Sequence, residues 1–352
     1  SAPSISAIFL FTSVLISFFK NKVFLNSGKI NILLILTTFF LVVSSIFHFL
    51  NDSGNYLPNW DPKFSIVGLA NWVPYFFCFS HFQSYLNSER LRISSAILLL
   101  SGSIPVLISG FGQMFFNLYG PLEFLNGLII WYQKEYPQEK VFSGLFSNPN
   151  YAASWLMIIL PFSIVFLLKS KGKLSRISSI IFLFSIIISI ILTNSRSGIL
   201  GIIFSTLFLL NNALAIIFII SIIIFSFILY ISLKINYQYG LIDYFYSLIP
   251  PDINKNFFIF NPFNIDQFPR FSIWENSLIF IKDNPIFGYG ALNFKELYKS
   301  KIGDFGYYHS HNIFLDLSIG YGIIPSILLI IFFIYFIRKS LIKIHNKKVI
   351  NK

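Results

Sequence analysis

Long apolar runs alternate with short polar or basic connections along most of this chain. Runs such as 30–50 and 213–233 hold about twenty consecutive, mostly apolar residues, the length that an α-helix needs to cross about 30 Å of hydrocarbon. This criterion predicts about nine membrane spans: residues 2–19, 30–50, 64–82, 93–113, 151–169, 175–193, 197–211, 213–233 and 312–337. A transmembrane β-barrel is not predicted, because its strands would alternate apolar and polar residues in segments of about ten.

The composition supports an all-α, polytopic transmembrane bundle. Hydrophobic residues make up 55% of the 352 positions and charged residues only 11%, against about 25% charged in an ordinary soluble domain. In lipid, helices satisfy the polar groups of their own backbone. The net charge of +12 does not indicate nucleic-acid binding, because the basic residues flank apolar runs instead of forming a patch on a soluble surface.

The distribution of charge predicts the orientation of the bundle. Residues 20–29, 86–92, 169–176 and the tail from Arg338 together carry a net charge of +14, and the rest of the chain carries −2. Because cytoplasmic loops are enriched in Lys and Arg, these four segments, the C-terminus included, are expected in the cytoplasm. They fall at every second connection, so residues 51–63, 114–150 and 234–310 are expected outside.

The longest connection predicts a three-part organisation. Residues 1–233 form the first eight spans, 234–311 form an external loop subdomain between the last two spans, and 312–352 form the last span and a basic tail. The loop is too long for a bare connector. Within it Phe271, Trp274, Leu278 and Ile281 recur at helical spacing, which predicts a short amphipathic helix. A stop follows at Asn284 and Pro285.

Three polar clusters fall on the predicted external face. They are residues 147–151, with Asn148 and Asn150; residues 194–198, with Ser195 and Arg196; and residues 307–312, with His309, His311 and Asn312. Each also has a structural interpretation: a turn with a helix N-cap, an arginine that extends to the lipid headgroups, or a polar interfacial cap. An arginine between two apolar helices is nevertheless expensive and is usually retained to pair with an anion.

The histidines of the third cluster favour acid–base chemistry over metal binding. Zinc sites need three or four ligands, and no nearby Cys or His adds to His309 and His311. A histidine that titrates near neutral pH suits a general base acting on a hydroxyl. Arg270 begins the predicted amphipathic helix, with Glu275 following, and the helix dipole there favours an anion.

Taken in order, these motifs resemble the bacterial O-antigen ligase/polymerase superfamily over about residues 140–337. The resemblance rests on Asn148-Pro149-Asn150, on Ser195-Arg196-Ser197-Gly198, on Arg270 to Trp274, on Asn284-Pro285 with Gly288-Tyr289-Gly290, and on His309-Ser310-His311-Asn312. It implies a membrane glycosyltransferase of the bacterial inner membrane with its active site at the periplasmic face. The donor would be a glycan on undecaprenyl diphosphate, and the acceptor a glycan or lipid A-core hydroxyl, in polysaccharide or lipopolysaccharide biosynthesis.

The resemblance also implies roles for individual residues. Arg196 and Arg270 would bind the donor diphosphate, and His311, or as second choice His309, would take the proton of the acceptor hydroxyl in an inverting transfer without metal or other cofactor. Supporting polar residues would be Asn148, Asn150, Ser195, Glu275 and Asn312.

Three alternatives remain open at this point. The enzyme could be a ligase that moves a finished chain or a polymerase that joins repeat units. A small-solute or anion transporter, such as a bicarbonate transporter, would instead place charged residues at mid-depth on broken helices. A structural scaffold would need none of the polar residues for activity.

Overall fold

The computed structural model describes residues 28–51, 59–127, 129–131, 140–146, 148–209, 269–303 and 307–350, with residues 12, 16 and 221 as isolated positions. These parts are predominantly α-helical, so the predicted helical fold is confirmed. The helices are α1 (Lys29–Leu50), α2 (Lys63–Gly68), α3 (Val73–Tyr85), α4 (Glu89–Phe116), α5 (Pro149–Lys169), α6 (Lys173–Leu192), α7 (Arg196–Leu209), α8 (Pro269–Asp283), α9 (Phe294–Ile302), α10 (Ile313–Tyr321) and α11 (Ile323–Ile350). A 3₁₀ turn (Leu69–Asn71) and an antiparallel hairpin of β1 (Leu122–Phe124) with β2 (Ile129–Trp131) complete the described elements.

Five of the described helices are long and apolar enough to cross a membrane. They are α1, α4, α5, α6 and the Ile323–Ile342 part of α11, each of at least 20 residues, or about 30 Å of helix. The apolar part of α7 is shorter, Arg196–Leu207. The predicted spans 2–19 and 213–233 lie outside the described residues, as does the predicted boundary at residue 233, so the count of nine stays a prediction.

Two of the predicted spans are interrupted in the structure. The segment predicted as the span 64–82 consists of α2, the 3₁₀ turn and α3, with a break at Trp72, whose φ of −129° and ψ of −59° are not helical. The segment predicted as the span 312–337 breaks at Gly322, where φ is +93° and ψ is 169°. In the structure, neither of these two predicted spans is therefore one continuous helix.

The break at Gly322 folds α10 back along α11. The Ser326 hydroxyl donates a hydrogen bond to the Phe314 carbonyl at 2.7 Å, and the ring centroids of Phe314 and Phe333 lie 6.3 Å apart. In one straight helix, residues twelve apart would be separated by about 18 Å. The first turn of α10 therefore lies beside Ser326 and Phe333 of α11, and the two helices do not continue along one axis.

The loop of residues 284–290 holds this turn. Tyr289 N–H donates to the Ile319 carbonyl at 2.7 Å, and Ile323 N–H donates to the Pro285 carbonyl at 2.8 Å. Gly288 has a φ of +68°, and a Cβ placed there would lie 2.4 Å from the Ile319 carbonyl oxygen. Close backbone approach therefore requires a glycine at position 288.

The chain divides into two compact units, one within residues 88–261 and one that combines residues from 7–87 and 262–352. In the first unit α5 packs against α4, α6 and α7. Its core includes the fully buried side chains of Phe142, Leu156, Ile159, Leu160 and Ile186.

In the second unit α11 packs against α1, and α10 packs against both of them and against α8. The predicted amphipathic helix is present as α8, and the predicted stripe is buried in part. Ile281 is buried and Trp274 packs against the same core, whereas Phe271 and Leu278 are 51% and 59% exposed. The buried face also includes Ile273 and Phe280, which the stripe did not contain, because several faces of this helix carry apolar residues.

Candidate functional site

Arg196 stands at the first residue of α7, after a tight turn from α6. The turn is made by Asn194, which has a φ of +53°. It is stabilised by the Ser195 N–H, which donates to the Thr193 hydroxyl at 3.2 Å. The Ser195 hydroxyl lies 2.9 Å from that of Ser197. Arg196 is exposed, and its charge adds to the positive end of the α7 dipole, so this helix start favours an anion.

The cluster around Asn148 lies at the same end of the first unit. Asn148 is the N-cap of α5, and its side-chain oxygen accepts the Asn150 N–H at 2.8 Å. The start of α5 lies against the start of α7, because a Cβ placed on Gly198 would be 3.0 Å from the Cβ of Ala153. Asn148, Asn150, Ser195 and Arg196 are thus brought to neighbouring helix starts.

In the second unit, residues 309–312 form a hydrogen-bonded turn before α10. Asn312 is the N-cap, and its side-chain oxygen accepts the N–H groups of Phe314 and Leu315 at 3.0 and 3.4 Å. The Ser310 hydroxyl donates to the Asn312 carbonyl at 2.9 Å. His311 has a left-handed φ of +56°, which exposes its side chain next to the start of the helix.

Two hydrogen bonds to residues outside this turn hold it in place. The Trp274 indole N–H, from α8, donates to the Ser310 carbonyl at 3.0 Å. The Ser310 N–H donates to a carboxylate oxygen of Asp316, in the first turn of α10, at 2.7 Å. Because Ser310 is fully buried, the backbone that carries His309 and His311 is held by satisfied hydrogen bonds on an ordered scaffold.

The two histidines lie in contact, and Arg270 acts on one of them. The ring centroids of His309 and His311 are 4.2 Å apart with an interplanar angle of 71°. Partial burial lowers the pKa of His311, Coulomb interactions with His309 and Arg270 lower it further, and Asp316 opposes them. The lowered pKa favours the neutral form of His311, in which an imidazole can accept a proton.

The structure thus gathers the predicted residues into two sets. Asn148, Asn150, Ser195 and Arg196 lie together in one unit, and Arg270, His309, His311 and Asn312 lie together in the other. Glu275 is exposed on α8, and no described contact joins it to either histidine. That the two sets meet in one pocket stays a prediction.

Comparison with known proteins bears on the second half of the chain. Residues 180–330 match the family model described as O-antigen ligase. The resemblance to the O-antigen ligase/polymerase superfamily is thereby confirmed over these residues. No curated protein and no solved structure was found to match the chain.

The matched region includes both arginines and the 309–312 turn, whereas Asn148 and Asn150 precede it. Sequence reasoning did not find the contribution of Asp316, although an acidic residue in the first turn after an Asn N-cap was a usable signal. Tyr308 belongs to the third predicted cluster and is 68% exposed, but its contact with Lys295, whose ammonium lies 4.7 Å from the ring centroid, was not predicted. Nothing local in the sequence links Lys295 to Tyr308.

Proposed function

We propose that this protein is a glycosyltransferase of the bacterial inner membrane that transfers a glycan from an undecaprenyl-diphosphate carrier to an acceptor hydroxyl. The observation that carries the proposal is the hydrogen bond from Trp274 to Ser310, which joins the helix that begins with Arg270 to the turn that carries His311, within a region that matches the O-antigen ligase family model. A fixed cation suits a diphosphate, and a neutral imidazole suits a base.

Each group has one task in the proposed reaction. Arg270 binds the diphosphate of the donor, and the resemblance assigns the same task to Arg196. The acceptor hydroxyl attacks the anomeric carbon from the side opposite the diphosphate, and its proton passes to His311. The bond between the anomeric carbon and the phosphate oxygen breaks, and the carrier diphosphate leaves with a negative charge that the arginines stabilise. The anomeric configuration is inverted, and the reaction uses neither a metal nor a nucleotide sugar.

The position of the 309–312 turn beside α11 supports a lipid-linked donor. The turn lies alongside a helix that is long enough to cross the membrane, so a substrate anchored in the bilayer can approach by lateral diffusion. By the positive-inside rule, the site would open to the periplasmic side and the C-terminal tail would lie in the cytoplasm.

A genetic experiment tests the proposal. A strain lacking the gene is complemented with the wild type, Arg270→Ala, Arg196→Ala or His311→Ala, and its surface polysaccharide is separated on a gel while membrane insertion is measured by blotting. We expect each variant to insert normally and to lose glycan transfer. Normal surface glycan in Arg270→Ala or His311→Ala would overturn the assignment.

The same gel separates the two candidate reactions. Loss of all long chains from the lipid core, with polymer still made on its carrier, indicates a ligase. Single repeat units on the lipid core indicate a polymerase. A transporter is tested separately, because it would show solute flux in sealed vesicles that contain no lipid-linked glycan.

A further inference from the structure

A cavity of about 490 Å³ lies in the second unit between the end of α1 and the 284–290 loop. Its volume is within the range of about 300–1,000 Å³ that is usual for small-molecule sites. It lies by the C-terminal end of α8, whereas Arg270 lies near the start of this 15-residue helix, about 20 Å away along the helix axis. The cavity is therefore distinct from the turn that carries the histidines. Its walls include Phe47, His48, Asn51, Trp60, Asn284 and Phe287.

The walls of this cavity are held in place by polar and aromatic contacts. The carbonyl oxygen of Phe287 lies 3.0 Å from His48 Nε2 and accepts a hydrogen bond from the Ser44 hydroxyl at 2.8 Å. The rings of Phe47 and Phe287 stack with their centroids 4.0 Å apart. The Trp60 indole N–H donates to the Ala291 carbonyl at 2.8 Å. The cavity is thus preformed, which reduces the entropic cost of binding.

The lining chemistry fits a neutral polar ligand better than an anion or an acyl chain. Among the described residues that line the cavity there is no Asp, Glu, Lys or Arg, so none of them offers a phosphate a counter-charge. Asn51 and Asn284 are both exposed. The Asn51 amide N–H donates to the Phe47 carbonyl at 3.0 Å, but an acyl chain would offer no partner to the remaining polar groups of the two amides. Amides offer both donors and acceptors, and aromatic rings offer apolar faces. This combination matches the hydroxyl groups and apolar C–H faces of a sugar ring.

We propose that this cavity is a second glycan site, which binds a neutral sugar unit of the donor or acceptor chain away from the reacting bond. The choice of a sugar rests in part on the proposed function. A site about 20 Å from Arg270 would allow one glycan chain to contact the protein at two separated points, and the second contact would align the chain for transfer.

The test measures sugar binding directly, without transfer. The full chain is reconstituted in phospholipid nanodiscs, and saturation-transfer NMR is recorded with the methyl glycosides of glucose, galactose and N-acetylglucosamine. We expect saturable binding of at least one glycoside with a Kd on the order of 1 mM. Asn51→Ala and Asn284→Ala should each weaken it about 2- to 10-fold, since each removes a hydrogen bond between neutral groups.

Two comparisons make the result decisive. His311→Ala should bind the glycoside like the wild type while it fails to transfer glycan, so failure of the sugar site and failure of the proposed function remain distinguishable. Melting temperatures of both asparagine variants near that of the wild type exclude unfolding as the cause of weaker binding. The absence of any glycoside signal in the wild type would overturn the proposal. An affinity equal to that of the wild type in the variant that combines Asn51→Ala with Asn284→Ala would also overturn it. The same holds if contacts between lipid methylene groups and the Trp60 indole persist when the glycoside is added.

Discussion

The indole N–H of Trp274 donates a hydrogen bond to the main-chain carbonyl of Ser310 at 3.0 Å. This bond joins α8, which carries Arg270, to the turn that carries His309 and His311. Trp274→Phe removes the donor and leaves an aromatic ring, and we expect the free energy of unfolding to fall by about 0.5–1.5 kcal/mol beyond the cost of the smaller ring. Transfer should fall by up to about 100-fold, because a shift of about 1 Å in a reacting group has effects of this size.

Trp155→Phe is the matched control for this substitution. The Trp155 indole N–H is buried and has no described hydrogen-bond partner, so the same loss of ring volume occurs without the loss of a bond. Thermal unfolding in detergent, followed by tryptophan fluorescence, compares the two variants. Equal destabilisation, together with normal transfer by Trp274→Phe, would show that the bond to Ser310 does not position the histidines.

The lowered pKa of His311 predicts a specific dependence on pH. Partial burial and the charges of His309 and Arg270 keep its pKa below the ordinary value of 6.5. His311 should therefore stay neutral and active at pH 7 and lose activity only as the pH falls below about 6.5. Because the unfolded chain binds this proton more readily, acidification through the same range should also reduce the free energy of unfolding. The rate of acylation of His311 by diethyl pyrocarbonate, mapped by mass spectrometry, reports the neutral fraction at each pH.

Substitution of Arg270 should raise the pKa of His311. Arg270→Gln removes a positive charge that disfavours the imidazolium form, so the pKa of His311 should rise towards 6.5 in the acylation assay. Lys282→Gln removes the same charge near the other end of α8, about 18 Å away along the helix, which exceeds the screening length of about 8 Å at physiological ionic strength. It should leave the titration unchanged. An unchanged pKa of His311 in Arg270→Gln would contradict the proximity of the two groups.

The features that the sequence predicted correctly depend on residues close together in the chain. Asn148 and Asn312 each precede an apolar helical run, and both are N-caps in the structure. The apolar runs of α1, α4, α5 and α6 are long enough for hydropathy alone to define them. The fold-back at Gly322 could not be predicted in this way, because a single glycine hardly changes the hydropathy of a long window. The bond from Trp274 to Ser310 joins residues 36 apart, and no local pattern reports such a contact.

Gly322 should be the most sensitive glycine of the second unit. Its φ is +93°, and a Cβ placed there would lie 1.9 Å from the Ile286 carbonyl oxygen, so alanine can fit only if the 284–290 loop moves. Gly322→Ala should cost about 2–5 kcal/mol of folding free energy, from backbone strain and overpacking together. The measurement is the midpoint of thermal unfolding in detergent, with fluorescence size-exclusion to count folded protein.

Gly303→Ala isolates the contribution of backbone strain. Gly303 has a similar φ of +85°, but none of the described atoms lies within 4 Å of the position that its Cβ would take. This variant should lose only about 1–2 kcal/mol. If Gly303→Ala and Gly322→Ala proved equally stable, the close approach of Gly322 to Ile286 would be refuted.

Asn312 allows the stability of α10 to be separated from the electrostatics of the site. Asn312→Ala should cost about 0.5–2 kcal/mol, because the side chain that accepts two N–H groups is lost, whereas Ser and Asp can both replace the cap. Asn312→Asp should therefore fold well but transfer poorly, since a carboxylate next to His311 raises the pKa of that imidazole and repels the donor diphosphate. Asn312→Ser should restore both stability and transfer.

The comparison of the Asn312 variants uses unfolding midpoints and surface glycan from the same complemented strains. Full transfer by Asn312→Asp would mean that no anion binds beside this helix start, which would remove the basis for assigning Arg270 to the diphosphate.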